Sequence, residues 1–97
     1  MAGRELFDAD KVGSQVILRH WAPGDRFQPI GLHGSVKLQD FFTNNRVPRG
    51  LRHKLLLATT AEGEVFWVEG MRIAERFKLT NCTTRRLNWS WQRSCAR

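Results

Sequence analysis

Two short apolar segments joined by a glycine turn constrain the fold of this chain more than any other feature. Residues 55–60 and 64–68 are rich in apolar and β-branched side chains, and Ala61-Glu62-Gly63 lies between them. A three-residue connection that ends in glycine is typical of a β-hairpin, because glycine readily adopts the left-handed backbone conformation that closes such a turn. The pattern therefore predicts an antiparallel pair of strands near the middle of the chain.

Two further segments predict strands on either side of this hairpin. Residues 15–21 place Val16 and Leu18 on one face, with Ile17 and Arg19 on the other. Residues 84–91 alternate in the same way, with Leu87, Trp89 and Trp91 on one face. The first dozen residues read as a polar, partly acidic lead-in, and residues 72–80 fit a helix or one face of a strand equally well.

Short helices are predicted between the first strand and the hairpin. We expect Ser35 to cap a helix in which Leu38, Phe41 and Phe42 form one apolar stripe, with Lys37 in the first turn. Asn44, Asn45 and Pro48 should end it, and residues 49–53 predict a second helical turn. The order of elements indicates an α+β fold: a small mixed or antiparallel β-sheet with one or two short helices, in a single domain over residues 1–97.

A modest aromatic core is expected, because 41% of the 97 residues are hydrophobic and the chain has four Trp and six Phe. The side chains whose spacing fits buried faces are Phe27, Leu38, Phe41, Phe42, Val65, Trp67, Ile73 and Phe77. For Trp21, Trp89 and Trp91 we favour the core or a partner interface over stacking on a base, although stacking stays open.

The charge balance favours a polyanionic partner. The net charge is +7, from twelve Arg and four Lys against nine acidic residues, and no acidic residue follows Arg76. Arginine suits bidentate phosphate contacts and stacking on bases. Nucleic acid is therefore the favoured partner, and a basic surface that merely keeps the protein dissolved is the alternative.

Several function classes are disfavoured by what the sequence lacks. It has no phosphate-binding loop of the G-x-x-x-x-G-K-[ST] type, no G-x-S-x-G elbow and no H-E-x-x-H, so neither catalysis nor a cofactor is predicted. Cys82, expected to be half-buried, and Cys95 fit no zinc spacing, and the three histidines fit no metal motif. No apolar run is long enough for a membrane span, and no leader opens the chain, so a cytoplasmic location is expected.

The segment from Arg19 to Arg52 carries the most specific signal. With Leu18 directly before it, the segment reads Leu18-Arg19-His20-Trp21-Ala22-Pro23-Gly24-Asp25-Arg26-Phe27-Gln28-Pro29-Ile30-Gly31, then Gly34-Ser35-Val36-Lys37-Leu38-Gln39-Asp40-Phe41-Phe42, then Val47-Pro48-Arg49 with Arg52 following. This order resembles the C-terminal domain of bacterial tRNA(Ile)-lysidine synthetase, with Val36 where that family usually has a lysine. Trp67-Val68-Glu69-Gly70-Met71-Arg72-Ile73 and Arg76-Phe77-Lys78-Leu79-Thr80 resemble its later part. The likeness covers about residues 6–88 and leaves 89–97 unassigned.

The resemblance implies a tRNA-binding, substrate-recognition domain without catalytic activity of its own. The family's enzyme is an ATP-dependent ligase that attaches lysine to the wobble cytidine of a minor isoleucine tRNA, and its Ser-Gly-Gly-x-Asp-Ser nucleotide loop is absent from this sequence. The implied partners are tRNA, on its acceptor-stem side, and a catalytic ligase domain in cis or in trans. The implied fold is the small α+β type shared with a module of phenylalanyl-tRNA synthetase.

Eight cations are the candidate RNA-backbone contacts: Arg26, Lys37, Arg46, Arg49, Arg52, Arg72, Arg76 and Lys78. Arg19 is expected to be architectural, paired with Asp25 or Asp40. The alternative function is a free-standing module that kept the fold and binds a protein partner or a second copy of itself, so a homodimer stays open.

Overall fold

A computed structural model describes residues 2–71 and 73–92 of the chain. The strands form antiparallel pairs, so the predicted α+β architecture with short helices is confirmed. In chain order the elements are β1 (Ala2–Asp8), α1 (Ala9–Val12), β2 (Val16–His20), β3 (Arg26–Phe27), β4 (Val36–Lys37), α2 (Leu38–Asn44), α3 (Arg49–Arg52), β5 (Leu56–Thr60), β6 (Val65–Val68), a 3₁₀ turn (Glu75–Phe77) and β7 (Arg86–Gln92).

The predicted hairpin forms the middle of the structure. β5 lies between β2 and β6 in a three-stranded sheet, and Gly63 closes the turn with a φ of 92°. All four residues of β6 are buried, so this strand is covered on both faces. β2, in contrast, is an edge strand and has most of its side chains exposed.

A second ribbon pairs β7, the strand predicted over residues 84–91, with β1, a strand that the sequence did not predict. We expected a polar lead-in where β1 is, because only Leu6 and Phe7 of its residues are large and apolar. The strand forms through its pairing with β7, a partner distant in sequence, which places Gly3 opposite Trp91 and Phe7 opposite Leu87. Such a long-range pairing leaves no local periodicity to detect.

The aromatic core joins the ribbon to the central sheet. The ring of Phe66 lies 5.0 Å from Phe7, 5.7 Å from Phe77 and 5.8 Å from Trp89, measured between centroids. Trp67 lies 5.4 Å from Trp89 and 5.1 Å from Trp91. The predicted core residues are buried except for Ile73, which is half-buried and packs against the others.

The prediction that Ser35 caps the helix that carries Leu38, Phe41 and Phe42 is wrong. α2 begins at Leu38, its preceding residue Lys37 lies in β4, and no side chain caps it. The hydroxyl of Ser35 instead accepts a hydrogen bond from Nε of Arg26 at 3.1 Å, across the β3–β4 ribbon. Ser35 thus lies outside α2, and the N–H of Leu38 at the start of the helix donates to the Asp25 carbonyl at 2.9 Å.

The segment after β6 is neither of the two predicted elements. Ile73 and Ala74 form isolated bridges to Trp67 and Pro29, and a single 3₁₀ turn follows. Backbone bonds to the 29–30 loop hold it, including Ile30 N–H to the Ile73 carbonyl at 2.9 Å. Tertiary contacts therefore override the ambiguous local pattern.

Replacing Gly3 by alanine is expected to destabilise the fold by about 1–3 kcal/mol, the range for overpacking. A Cβ at this position would overlap two atoms of the Trp91 ring, so the indole would have to leave its contact with Trp67. Urea denaturation measures the change in the free energy of unfolding.

Gly34→Ala is the matched control, since a Cβ there would meet nothing within 4 Å. Equal stabilities of the two variants would contradict the packing of Trp91 over β1.

Candidate nucleic-acid interface

The predicted cations that the structure describes lie on several different elements. Arg72 lies outside the described residues. The other seven fall in four places along the chain: the β3–β4 ribbon with the nearby 3₁₀ turn (Arg26, Lys37 and Arg76), the loop after α2 (Arg46), α3 (Arg49 and Arg52), and the end of the 3₁₀ turn (Lys78).

The first group, which we call the ribbon cluster, consists of Arg26, Lys37 and Arg76. Arg26 and Lys37 are cross-strand partners, which places both side chains on one face of the ribbon. Arg26 is oriented by Ser35, since its Nη2 also donates to the Ser35 carbonyl at 3.2 Å. These two bonds leave other guanidinium donors for an anion.

Arg76 completes the cluster but is already paired. It borders the same small cavity of about 180 Å³ as Arg26 and Ser35. Its guanidinium forms an ion pair with Glu64 and lies 5.4 Å from the centroid of the Phe77 ring. Because both partners are exposed, the pair is weak, and a phosphate can compete with Glu64 at small cost.

The loop before the ribbon is fixed by Arg19 and Asp25. The two side chains form a bidentate pair with nitrogen–oxygen distances of 2.8 and 2.9 Å. Asp25 also accepts the Ala22 N–H at 2.8 Å, and its carbonyl accepts the Leu38 N–H at 2.9 Å. The expected architectural role of Arg19 is thus confirmed, with Asp25 and not Asp40 as its partner.

A second carboxylate fixes the other side of this loop region. Glu75 accepts the Gly31 N–H at 2.8 Å and forms an ion pair with Lys78. The hydrogen bond from Lys78, helped by the one from Gly31, lowers the pKa of Glu75 below its ordinary value. Lys78 is therefore engaged in holding the 29–34 loop, which makes it a weaker candidate for RNA than its charge alone implies.

A polar cleft between α2 and α3 brings together an aromatic ring and two guanidinium groups. The residues that line its volume of about 280 Å³ are Trp21, Gln39, Thr43, Arg49, Arg52 and His53. We call it the tryptophan cleft. Phe42 supports the Trp21 ring at 5.9 Å, and His53 lies 5.2 Å from it. Nε1 of the half-buried Trp21 has no hydrogen-bond partner among the described residues.

The two arginines of this cleft differ in how firmly they are held. Nε of Arg52 donates to the Val47 carbonyl at 3.0 Å, and the guanidinium lies 5.9 Å from the Phe42 ring centroid. Arg49 is exposed at the start of α3. Arg52 is therefore a fixed donor, whereas Arg49 is free to follow a phosphate.

Sequence reasoning named both arginines but missed the cleft. It favoured the core or a partner interface for Trp21, and Gln39 and Thr43 were not considered. Gln39 and Thr43 are four positions apart beside the apolar stripe of α2, and this spacing was the sequence signal that could have identified them as neighbours. It indicates a shared helix face and does not indicate which loop residues meet that face.

Neither a group of metal ligands nor a membrane-spanning helix is present among the described residues. Within residues 2–71 and 73–92, no three His, Cys, Asp or Glu side chains are grouped as metal ligands. Cys82 is exposed, so the expectation that it is half-buried is wrong, because it lies in the turn before β7. Cys95 lies outside the described residues. None of the described helices has the length and apolarity that a membrane crossing requires.

Comparison with known proteins gives a consistent result. The profile of the family described as the TilS substrate C-terminal domain matches residues 16–89. The tRNA(Ile)-lysidine synthase of Clostridium acetobutylicum is 42% identical over 79 residues, which are 81% of this chain and 17% of that protein. The bifunctional protein TilS/HprT of Listeria monocytogenes is 37% identical over 67 residues, or 69% of this chain and 10% of that protein.

Solved structures agree on the fold. A crystal structure of the TilS C-terminal domain superposes with a TM-score of 0.75 at 26% identity, covering 88% of this chain and 65% of that one. An N-terminal fragment of the phenylalanyl-tRNA synthetase β-subunit from Pyrococcus horikoshii superposes at 0.70 and 18% identity, covering 90% and 27%. The fold shared with a module of phenylalanyl-tRNA synthetase is thereby confirmed. The chain spans about one sixth of the length of the first curated relative.

Replacing Asp25 by asparagine is expected to cost about 1–2 kcal/mol at neutral pH, since the exchange removes a charged hydrogen-bonded pair that is partly exposed. The bond from Arg19 holds the pKa of Asp25 below its ordinary 3.8. A lowered folded-state pKa gives stability that is present above about pH 4 and lost as the pH falls below it. The stability advantage of the unmodified chain should therefore shrink between about pH 5 and pH 2.

Urea titrations of the unmodified chain and of Asp25→Asn across this pH range measure the difference in their free energies of unfolding. Asp40→Asn is the matched control, because Asp40 is exposed and makes none of these contacts. An advantage over Asp25→Asn that is independent of pH would contradict the charged pair.

Proposed function

Because the chain belongs to the family of TilS substrate C-terminal domains, we propose that it binds tRNA as the substrate-recognition part of a tRNA(Ile)-lysidine synthetase. The proposed contact is on the acceptor-stem side of the tRNA. The observation that carries this proposal is the tryptophan cleft, where an aromatic face and two arginines meet in a domain of net charge +7.

The composition of the cleft matches the chemistry of RNA. Aromatic rings stack on bases, and guanidinium groups bind phosphates in a bidentate manner. Gln39 and Thr43 add an amide and a hydroxyl, which suit ribose hydroxyls and phosphate oxygens. The ribbon cluster supplies a second set of phosphate donors. Both sites read shape and charge, so weak sequence selectivity is expected of the domain alone.

The proposed role does not include catalysis. The chain corresponds to about one sixth of the length of the Clostridium acetobutylicum protein, and we assign the ligase chemistry to the remaining part of such an enzyme. We propose that a catalytic ligase domain acts with this chain in cis or in trans, in the cytoplasm, where tRNA is modified.

Protein binding is the second candidate function, and the β2 edge favours it. Val16, Ile17 and Leu18 are 37%, 45% and 53% exposed on a strand with one open side. An edge of this kind can add a strand from a partner or from a second copy. Trp89 and Trp91, for which the sequence left a partner interface open, pack on Trp67 instead.

Charge reversal at Arg49 separates these functions. Arg49→Glu should weaken binding of tRNA(Ile) about tenfold at about 50 mM salt and lower the salt dependence by about one phosphate contact. Titrations at about 50 and 200 mM salt, with tRNA(Ile), an unrelated tRNA and an isolated acceptor-stem helix, measure both quantities. Comparable affinity for the acceptor-stem helix would support the proposed side of contact.

Arg4→Glu makes the same change of charge on the exposed side of the β1–β7 ribbon and is the matched control. Equal losses of RNA affinity in the two variants would mean that net charge alone accounts for the binding. If the unmodified chain binds none of these RNAs even at about 50 mM salt, the β2 edge and a protein partner are favoured instead.

A further inference from the structure

The central sheet has one covered edge and one open edge. At β6 the segment that follows the strand covers the edge, since Ile73 forms a bridge to Trp67. The N–H of Ala74 also donates to the carbonyl of Phe66 at 3.1 Å. β2 forms the opposite edge: it pairs with β5 on its inner side, and no described strand pairs with its outer side. A further strand can therefore add to the sheet only at the β2 edge.

The pairing within the sheet indicates which backbone groups of β2 point outward. Leu56 of β5 is the register partner of His20, and its carbonyl accepts the Glu69 N–H at 3.0 Å, on the side away from β2. Residues of an antiparallel strand bond to the two neighbouring strands alternately. The backbone N–H and carbonyl of His20, and with them those of Leu18 and Val16, therefore point to the open side.

The side chains of this edge are apolar and unprotected. Val16, Ile17 and Leu18 are all exposed, and Leu18, in the middle of β2, is the most exposed large apolar side chain among the described residues. Proteins commonly protect such an edge with lysine, proline or a β-bulge. β2 contains neither Lys nor Pro, and its register with β5 runs unbroken over its five residues. An edge without these features is a template for pairing with another chain.

The distribution of charge indicates the chemistry of the partner. The chain carries a net charge of +7, but residues 13–18 have no charged side chain. Arg19 forms its ion pair with Asp25. Its Nη1 also donates to the His20 carbonyl at 3.1 Å, and this oxygen has a second lone pair for a further donor. An RNA phosphate or an acidic peptide would thus meet no unpaired cation along residues 13–19, whereas a second copy of the chain would meet no opposing one.

We propose that β2 pairs with β2 of a second copy of this chain across a two-fold axis, which joins the two central sheets into one. The association does not require RNA. Antiparallel pairing centred on Leu18 places this residue opposite itself, and Val16 opposite His20 of the second copy. These are the three residues whose backbone groups point outward, so this register satisfies them. It also removes the apolar side chains of Val16 and Leu18 from water.

The first test is sedimentation velocity of the unmodified chain without RNA. Interfaces below about 1,200 Å² are typical of transient complexes, so we expect a dissociation constant of about 100 µM. Salt screens the repulsion between the two net charges, so the dimer should strengthen several-fold between about 50 and 500 mM salt. Binding of RNA shows the opposite salt dependence. A chain that stays monomeric at about 500 µM, or a dimer that salt weakens, would overturn the proposal.

The second test uses the self-pairing of Leu18. Leu18→Lys and Leu18→Glu each place two like charges opposite one another at the two-fold axis, so each should weaken the dimer at least about tenfold. An equimolar mixture of the two variants should associate again, because a lysine then faces a glutamate. Circular dichroism checks that each variant is folded, as expected for a substitution at a side chain that is more than half exposed.

Leu32→Lys and Leu32→Glu are the matched controls, since they make the same changes of charge at an exposed leucine outside β2. Each should dimerise as the unmodified chain does, apart from the small effect of net charge. Equal losses in the Leu18 and Leu32 variants, or a mixture of the Leu18 variants that stays monomeric, would overturn the proposal. Because no RNA is present in these measurements, a failure of the proposed tRNA binding would leave their outcome unchanged.

Discussion

The ion pair between Arg19 and Asp25 determines where the candidate site residues lie. Arg19 belongs to β2. The backbone carbonyl of Asp25 accepts the N–H of Leu38, the first residue of α2. Trp21 lies two positions after Arg19, and Arg26 directly follows Asp25, so the contact between Arg19 and Asp25 restrains the positions of both. The ion pair thus helps to position one side chain of each site, Trp21 in the cleft and Arg26 in the ribbon cluster.

The aromatic core explains how so small a chain supports polar clefts on its surface. β6 is buried on both faces and packs against rings from β1 and β7, and the apolar residues of α2 join the same core, whereas α3 buries none of its residues. Each of these helices is only one to two turns long, so both of its flanks lie near the surface. Different residues of each helix can then line two cavities, the tryptophan cleft and a larger cavity bordered by Phe41 and Leu51.

The sequence was sufficient wherever local pattern and tertiary structure agree. The hairpin turn at Gly63 and the apolar stripe of α2 were both predicted, because each is set by spacing within a few residues. β1 was missed, since its partner is β7, and Ser35 was misread because its hydroxyl bonds Arg26 rather than the helix. For the site, the sequence named the cations but not their grouping, which depends on loops that Asp25 and Glu75 hold in place.

The pairing of cations matters more for recognition than their number. Arg76 and Lys78 are engaged with Glu64 and Glu75, and Arg19 is fully committed to Asp25, so the net charge overstates what is presented to a polyanion. Arg26 and Arg49, which form no ion pair with the described residues, lie beside grooves rather than on a flat face. A duplex can satisfy these donors through its phosphates. If the domain binds RNA as proposed, the phosphate contacts should therefore supply most of its affinity and little of its sequence selectivity.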